Sequence, residues 1–246
     1  MSKSTEILTK LDWLKPNSQH FDVITNQDWD YIISDDVDIK YKLVKIDNKV
    51  FMIFKCTEDN DDWRTNLDYY PEKIRLFKDK NIYGHGGIYA KYMLIRDKFL
   101  DMCYLEDVTE IYISGFSLGG GLTKYAAQDC AYHFPDKEIK AISYEGPRVF
   151  CPDRELKKML KNHKHLNLIH VFTFWDPVVH CVPMILPELG FRFWINPFQL
   201  KWTGLFNISF WTNYGKRFMI GKWWKIIPIQ HLPSEIEKNL IDKVGY

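Results

Sequence analysis

Gly115-Phe116-Ser117-Leu118-Gly119 is the stretch of this sequence whose residue types and spacing can do covalent chemistry. A serine with glycine two residues away on either side suits a tight strand-to-helix turn. Such a turn lifts the hydroxyl above the sheet and tolerates only small neighbours. The surroundings agree: a short β-rich run precedes the motif at 109–114, and a helix is predicted over 118–133. The N-terminus of that helix offers free amides and the positive end of its dipole, which favour the negative charge that develops on an attacked carbonyl. Read blandly, the same residues are a glycine-rich turn with an idle serine. The strand, motif and helix in succession favour the nucleophile.

A serine hydroxyl is a weak nucleophile until a histidine accepts its proton, and the histidine needs a carboxylate to fix its tautomer. In strand–elbow–helix enzymes these groups follow in the order serine, acid, histidine, so the partners of Ser117 are sought after it. Asp176 directly follows a strand predicted over 166–174, the strand-end position from which catalytic groups of open α/β sheets project. It is the preferred acid. Asp153 is the fallback, though it opens a predicted helix and reads more simply as its N-cap. The histidines beyond Asp176 are His180 and His231. His180 is so near Asp176 that pairing needs a tight local turn, whereas His231 stands in a loop before a final helix at 233–244 and is the preferred base. The plainer role for His231 is to cap or pack against that helix.

The elements that must position these groups alternate along the chain. Runs at 41–46 and 50–56 read as strands joined by a hairpin turn at Asp47-Asn48-Lys49. Apolar residues at helical spacing (Ile88, Met93, Leu94, Phe99, Leu100) predict a helix over 87–105. The strand at 109–114, the helix at 118–133, a strand at 138–144, a helix at 153–164 and the strand at 166–174 then form a βαβαβ succession. That pattern implies a parallel sheet with right-handed crossovers. Residues 175–230 read as irregular and aromatic-rich. A chain of 246 residues without repeats or a Pro/Gly/Ser-rich linker is expected to be one α/β domain, residues 1–246, with 175–230 as an insertion within it.

Composition narrows the function classes. A net charge of +1 argues neither for nucleic acid nor for acidic partners, and no nucleic-acid-binding motif spacing is present. Cys56, Cys103, Cys130, Cys151 and Cys181 form no Cys-x-x-Cys pair, which speaks against a zinc site or dithiol motif and for free thiols. Charged residues interrupt the N-terminal stretch, so no secretory signal is read there, and an intracellular protein is expected, cytoplasmic or peripheral to a membrane. No run approaches the roughly 20 apolar residues that span a bilayer.

Several elements in one order are similar to the class 3 lipases, the family of fungal triacylglycerol lipases and related plant and bacterial acylhydrolases. They are Phe54-Lys55-Cys56-Thr57 with Asp62-Trp63, His85-Gly86-Gly87-Ile88, Gly115 to Gly120, Glu145-Gly146-Pro147-Arg148-Val149, Asp176-Pro177-Val178 and His231-Leu232-Pro233. The departures are Lys55 and Cys56 for arginine and glycine, Ile88 for phenylalanine and Phe116 for histidine; they bear on the oxyanion loop and substrate range. The resemblance implies an α/β-hydrolase fold, a mostly parallel central sheet flanked by helices. It also implies a Ser117–His231–Asp176 triad acting on lipid esters through an acyl-enzyme, with no cofactor or metal.

An oxyanion hole needs two donors. The Leu118 amide, next after the nucleophile, is one. The resemblance implies Thr57 as the other, through its amide and hydroxyl; a rival is the His85-Gly86-Gly87 block. Residues 58–70 occupy the place of a lid in related lipases.

From Trp175 to Trp224 the sequence holds Trp175, Trp194, Trp202, Trp211, Trp223 and Trp224, most of the nine in the chain, and from Pro177 to Gln230 its sole acid is Glu188. Aromatics among basic residues suit a lipid interface, peripheral membrane or lipid droplet, where indoles sit at headgroup level. They equally suit an acyl pocket or a plain core. Hydrolysis of lipid esters is the expected activity. The alternatives are acyl transfer to another alcohol and a catalytically silent lipid- or partner-binding module.

Overall fold

The computed structural model describes residues 28, 30–34, 37–55, 71–78, 82–150, 158, 163–173, 182–186, 191–195 and 216–220. Among these residues the strands are β1 (Asp30–Ser34), β2 (Val37–Ile46), β3 (Lys49–Phe54), β4 (Pro71–Ile74), β5 (Ile82–His85), β6 (Glu110–Phe116), β7 (Glu138–Tyr144), β8 (Leu166–Thr173), β9 (Val182–Leu186), β10 (Phe191–Ile195) and β11 (Lys216–Ile220). The long helices are α1 (Gly86–Cys103) and α2 (Leu118–His133).

A seven-stranded sheet runs in the order β1-β2-β3-β6-β7-β8-β11. β1, β2 and β3 meander antiparallel, and from β3 to β11 every pairing is parallel. The hairpin turn read at Asp47-Asn48-Lys49 is present, with Asp47 at φ 51°. The βαβ reading holds for β6, α2 and β7, and β6 continues past the run at 109–114 to reach Phe116, the residue before Ser117.

Alternation along the parallel strands gives the sheet two buried faces, as expected where it is covered on both sides. Val50, Met52, Phe54, Ile111, Ile113, Ile139, Ala141 and Leu168 join the core beneath α1 and α2. Phe51, Tyr112, Ile142, Ile169 and Val171 are buried on the other face, where the Phe51 and Tyr112 rings stack at 4.9 Å. The two helices lie side by side. Between them the fully buried Asp129 carboxylate accepts from Tyr92 Oη (2.8 Å) and Arg96 Nε (2.7 Å), with His133 Nδ1 at 3.1 Å.

The segment read as irregular is not so throughout. β9 and β10 pair antiparallel within it, and β11 extends the main sheet by a further parallel strand on β8. The sequence reading missed β11 because Lys216-Arg217-Phe218-Met219-Ile220 is short and begins with two charges, and its partner in the sheet lies far back along the chain. The helix predicted at 153–164 lies outside the described residues except at Lys158, which is helical, and at 163–164, where the chain turns into β8; the helix predicted at 233–244 lies wholly outside them. No described helix is long and apolar enough to cross a membrane. Cys103 and Cys130, the described cysteines, are free thiols, both buried.

Candidate active site

Ser117 stands where β6 ends and α2 begins, at the C-terminal edge of the parallel strands, with φ 55° and ψ −117°. A side-chain-bearing residue held in that region is strained by about 1–3 kcal/mol and persists only where its surroundings over-determine it. Here they do. β6 and the first turn of α2 approach so closely that a Cβ on Gly115 would collide with the carbonyl group of Gly119, and α2 lies so near the end of β3 that one on Gly119 would be 2.7 Å from Phe54 O. Glycine at both positions is what allows the reversal of direction.

The elbow is fastened to the end of β7. Ser117 N donates to Tyr144 O (2.9 Å), and Ser143 Oγ donates to Gly120 O (2.9 Å). Residues 145–149 continue this buttress: Glu145, fully buried at φ 46°, donates its amide to Val171 O of β8 (2.8 Å). Ser117 itself is 3% exposed. Leu118 is the first residue of α2, so its amide belongs to the group at a helix N-terminus with no carbonyl one turn back to receive it. Hydroxyl and amide thus stand at one point of the fold, the pairing that attack on a carbonyl and stabilisation of its oxyanion require.

The His85-Gly86-Gly87 block has another task. His85 is the N-cap of α1, and its Nδ1 accepts from the Ile88 amide at 3.3 Å. Burial pushes its pKa down to about 4, so the ring stays neutral as that acceptor role needs. Its amide donates to Val149 O (2.9 Å). The block therefore ties β5 and α1 to the loop after β7, and its sequence position directly before a helix was the signal for that role. Asp176, His231 and Thr57, with the alternatives Asp153 and His180, lie outside the described residues. No cluster of potential metal ligands occurs among the described residues.

The family model described as Lipase (class 3) matches residues 51–185, more than half of the chain and inclusive of the elbow. The chain belongs to the class 3 lipase family. As a class 3 lipase it is a carboxylic ester hydrolase acting on lipid esters. No curated protein shows a significant sequence match to it. Solved structures show the same fold at low identity. A triacylglycerol lipase from Penicillium expansum superposes with a TM-score of 0.54 at 13% identity, covering 78% of this chain and 68% of that one. The triacylglyceride lipase of Rhizomucor miehei gives 0.53 at 14% identity, covering 89% and 77%. Lipase II from Rhizopus niveus gives 0.52 at 15%, covering 72% and 69%. These likenesses establish the α/β-hydrolase fold of the class 3 lipase.

What the sequence reading missed at the site is its support. Ser143 Oγ and Tyr144 O hydrogen-bond the elbow directly, and the buried Lys124 donates from α2 to Gly146 O and Pro147 O of the loop after β7. For Lys124 the available signal was helical spacing: it lies four residues after Gly120 and shares its face, among apolar and small neighbours where a solvated lysine has no place.

Proposed function

We propose that this class 3 lipase hydrolyses lipid esters through an acyl-enzyme on Ser117. His231 accepts the hydroxyl proton as the serine attacks the ester carbonyl, and Asp176 holds the histidine tautomer and balances the imidazolium. The Leu118 amide and Thr57 receive the developing oxyanion. The histidine then returns its proton to the leaving alcohol, and a water activated by the same ring releases the acid. The observation that carries this reading is the strained Ser117 at the junction of β6 and α2, a costly conformation that sets a hydroxyl beside the free amides of a helix N-terminus.

Ser117 is 3% exposed, its backbone enclosed by the strand end and the first turn of α2. The Trp- and Lys/Arg-rich segment 175–230 supplies the chemistry for a lipid surface, a membrane or a lipid droplet. Labelling by a fluorophosphonate, in buffer and with detergent, tests the nucleophile. Wild type is expected to react, Ser117→Ala not to react, and His231→Ala to react at a strongly reduced rate. The burial of Ser117 favours one second reading, a lipid-binding module without turnover. Vesicle binding by a wild type that resists the probe even in detergent would establish it against the first.

A further inference from the structure

Lys124 is a buried lysine, 2% exposed, in the second turn of the helix that starts at the nucleophile. Side chains on a helix lean back toward its N-terminus, so a long one at position 124 returns toward the turn of Gly120. Its Nζ donates to Gly146 O at 2.8 Å and to Pro147 O at 2.6 Å. A lysine is costly to bury, and such burial is tolerated where charge-assisted hydrogen bonds satisfy the ammonium.

The carbonyls of the loop after β7 are taken almost in succession. Ser117 N binds Tyr144 O, Lys124 binds Gly146 O and Pro147 O, and Tyr125 Oη donates to Val149 O at 2.8 Å. Apart from the Ser117 amide, these donors come from adjacent side chains of α2. The loop they hold carries Glu145 at φ 46°, a strained residue that needs its surroundings to stay fixed. It lies directly against the elbow, because Gly146 Cα would be 2.7 Å from a Cβ on Gly120.

We infer that Lys124 is a positioning residue for the nucleophile: its ammonium clamps the 146–147 carbonyls against the first turn of α2, and through Tyr144 and Gly120 the clamp sets the place of the Ser117 hydroxyl. The lysine touches neither substrate nor the reacting atoms. Releasing it lets the loop and the elbow shift relative to each other without altering the surface on which a lipid binds. The loss therefore falls on the chemical step, and a displacement of up to an ångström costs roughly 10- to 100-fold in rate.

The inference rests on the serine mechanism proposed above, and one set of variants separates the two. Lys124→Met removes the donor at similar length, and Lys124→Gln keeps a neutral donor. Leu100→Ala on α1 is a stability control away from the elbow. Each is assayed below its own unfolding transition for fluorophosphonate labelling rate and for kcat and KM on an emulsified ester. Labelling rate and kcat are expected to fall in the order Lys, Gln, Met with KM unchanged, while Leu100→Ala, although destabilised, keeps wild-type rates. Folded Lys124→Met that labels and turns over like wild type would overturn the positioning role, as would a loss shared equally by Leu100→Ala. A wild type that fails to label defeats the serine mechanism instead.

Discussion

Replacing Gly120 by alanine puts a methyl group where the structure has no room and where the obstacles are mostly backbone. The new Cβ would meet Gly146 Cα at 2.7 Å, Tyr144 O at 2.8 Å and Ser143 Oγ at 3.0 Å. Carbon atoms pack best at about 3.5–4.0 Å, so the first turn of α2 and the loop after β7 must separate by about 1 Å. Overpacking of this kind costs about 1–3 kcal/mol. Alanine in a helix returns about 0.5–1 kcal/mol relative to glycine, leaving a net loss of stability of up to about 2.5 kcal/mol. The rate effect is larger in proportion, because Tyr144 O is the acceptor for the Ser117 amide, and opening this contact moves the nucleophile by a distance worth roughly 10- to 100-fold.

Gly121→Ala is the internal comparison. There the nearest atoms belong to side chains and not to backbone, Ile88 Cδ1 at 3.0 Å and Pro147 Cγ at 3.2 Å, so the packing cost is smaller than at Gly120 and is largely offset by the helix gain. Urea denaturation gives the stabilities, and the second-order rate of fluorophosphonate inactivation reads the elbow. Gly120→Ala with wild-type stability and rate, or Gly121→Ala as damaging as Gly120→Ala, would refute the argument that this contact positions the serine.

The remaining predictions concern the helix pair and the proposed oxyanion donor. Asp129→Asn takes the charge from a fully buried carboxylate that serves Tyr92 and Arg96, and urea denaturation should show a loss of about 3 kcal/mol; a change of a few tenths would show the network to be energetically idle. Hydrogen bonding to that carboxylate raises the His133 pKa above 6.5. Because the folded-state value is the higher one, the stabilisation is complete below pH 6.5 and is lost as pH rises through the raised value; His133→Gln should flatten the stability profile over that interval. Cys103 and Cys130 are buried and should react with a thiol reagent in urea but not in buffer, so modification of either in the native protein would contradict their placement. Thr57→Val should lower kcat about 100-fold if the hydroxyl is the second oxyanion donor and leave it unchanged if the amide alone serves.

Local pattern made much of this protein legible. Ser117 could be singled out because the elbow is a local device: the glycines, the β-rich run before them and the helix after them all lie within a few dozen residues. The 118–133 helix and the 138–144 strand agree with the structure for the same reason, and the order of the family's elements along the chain was readable without coordinates. Elements whose existence depends on a distant partner were not. β11 is a short, partly charged strand that forms because β8 offers it an edge, and β4 and β5 are brief runs that exist by pairing with each other and with Phe150.

The sequence by itself determined the fold class and the elbow that singles out Ser117, since a tight turn between strand and helix admits few residue types and periodicity reports which faces are buried. Only the tertiary structure decided what packs against the elbow. Hydrogen bonds from Ser117 and Lys124 to carbonyls of residues 144–147, and the close approach of Gly120 to Gly146, join segments that have no marked relation in sequence. Backbone carbonyls are the same in every residue. Which side chain reaches them is settled by how the chain packs, and it leaves no pattern in the residues that provide them.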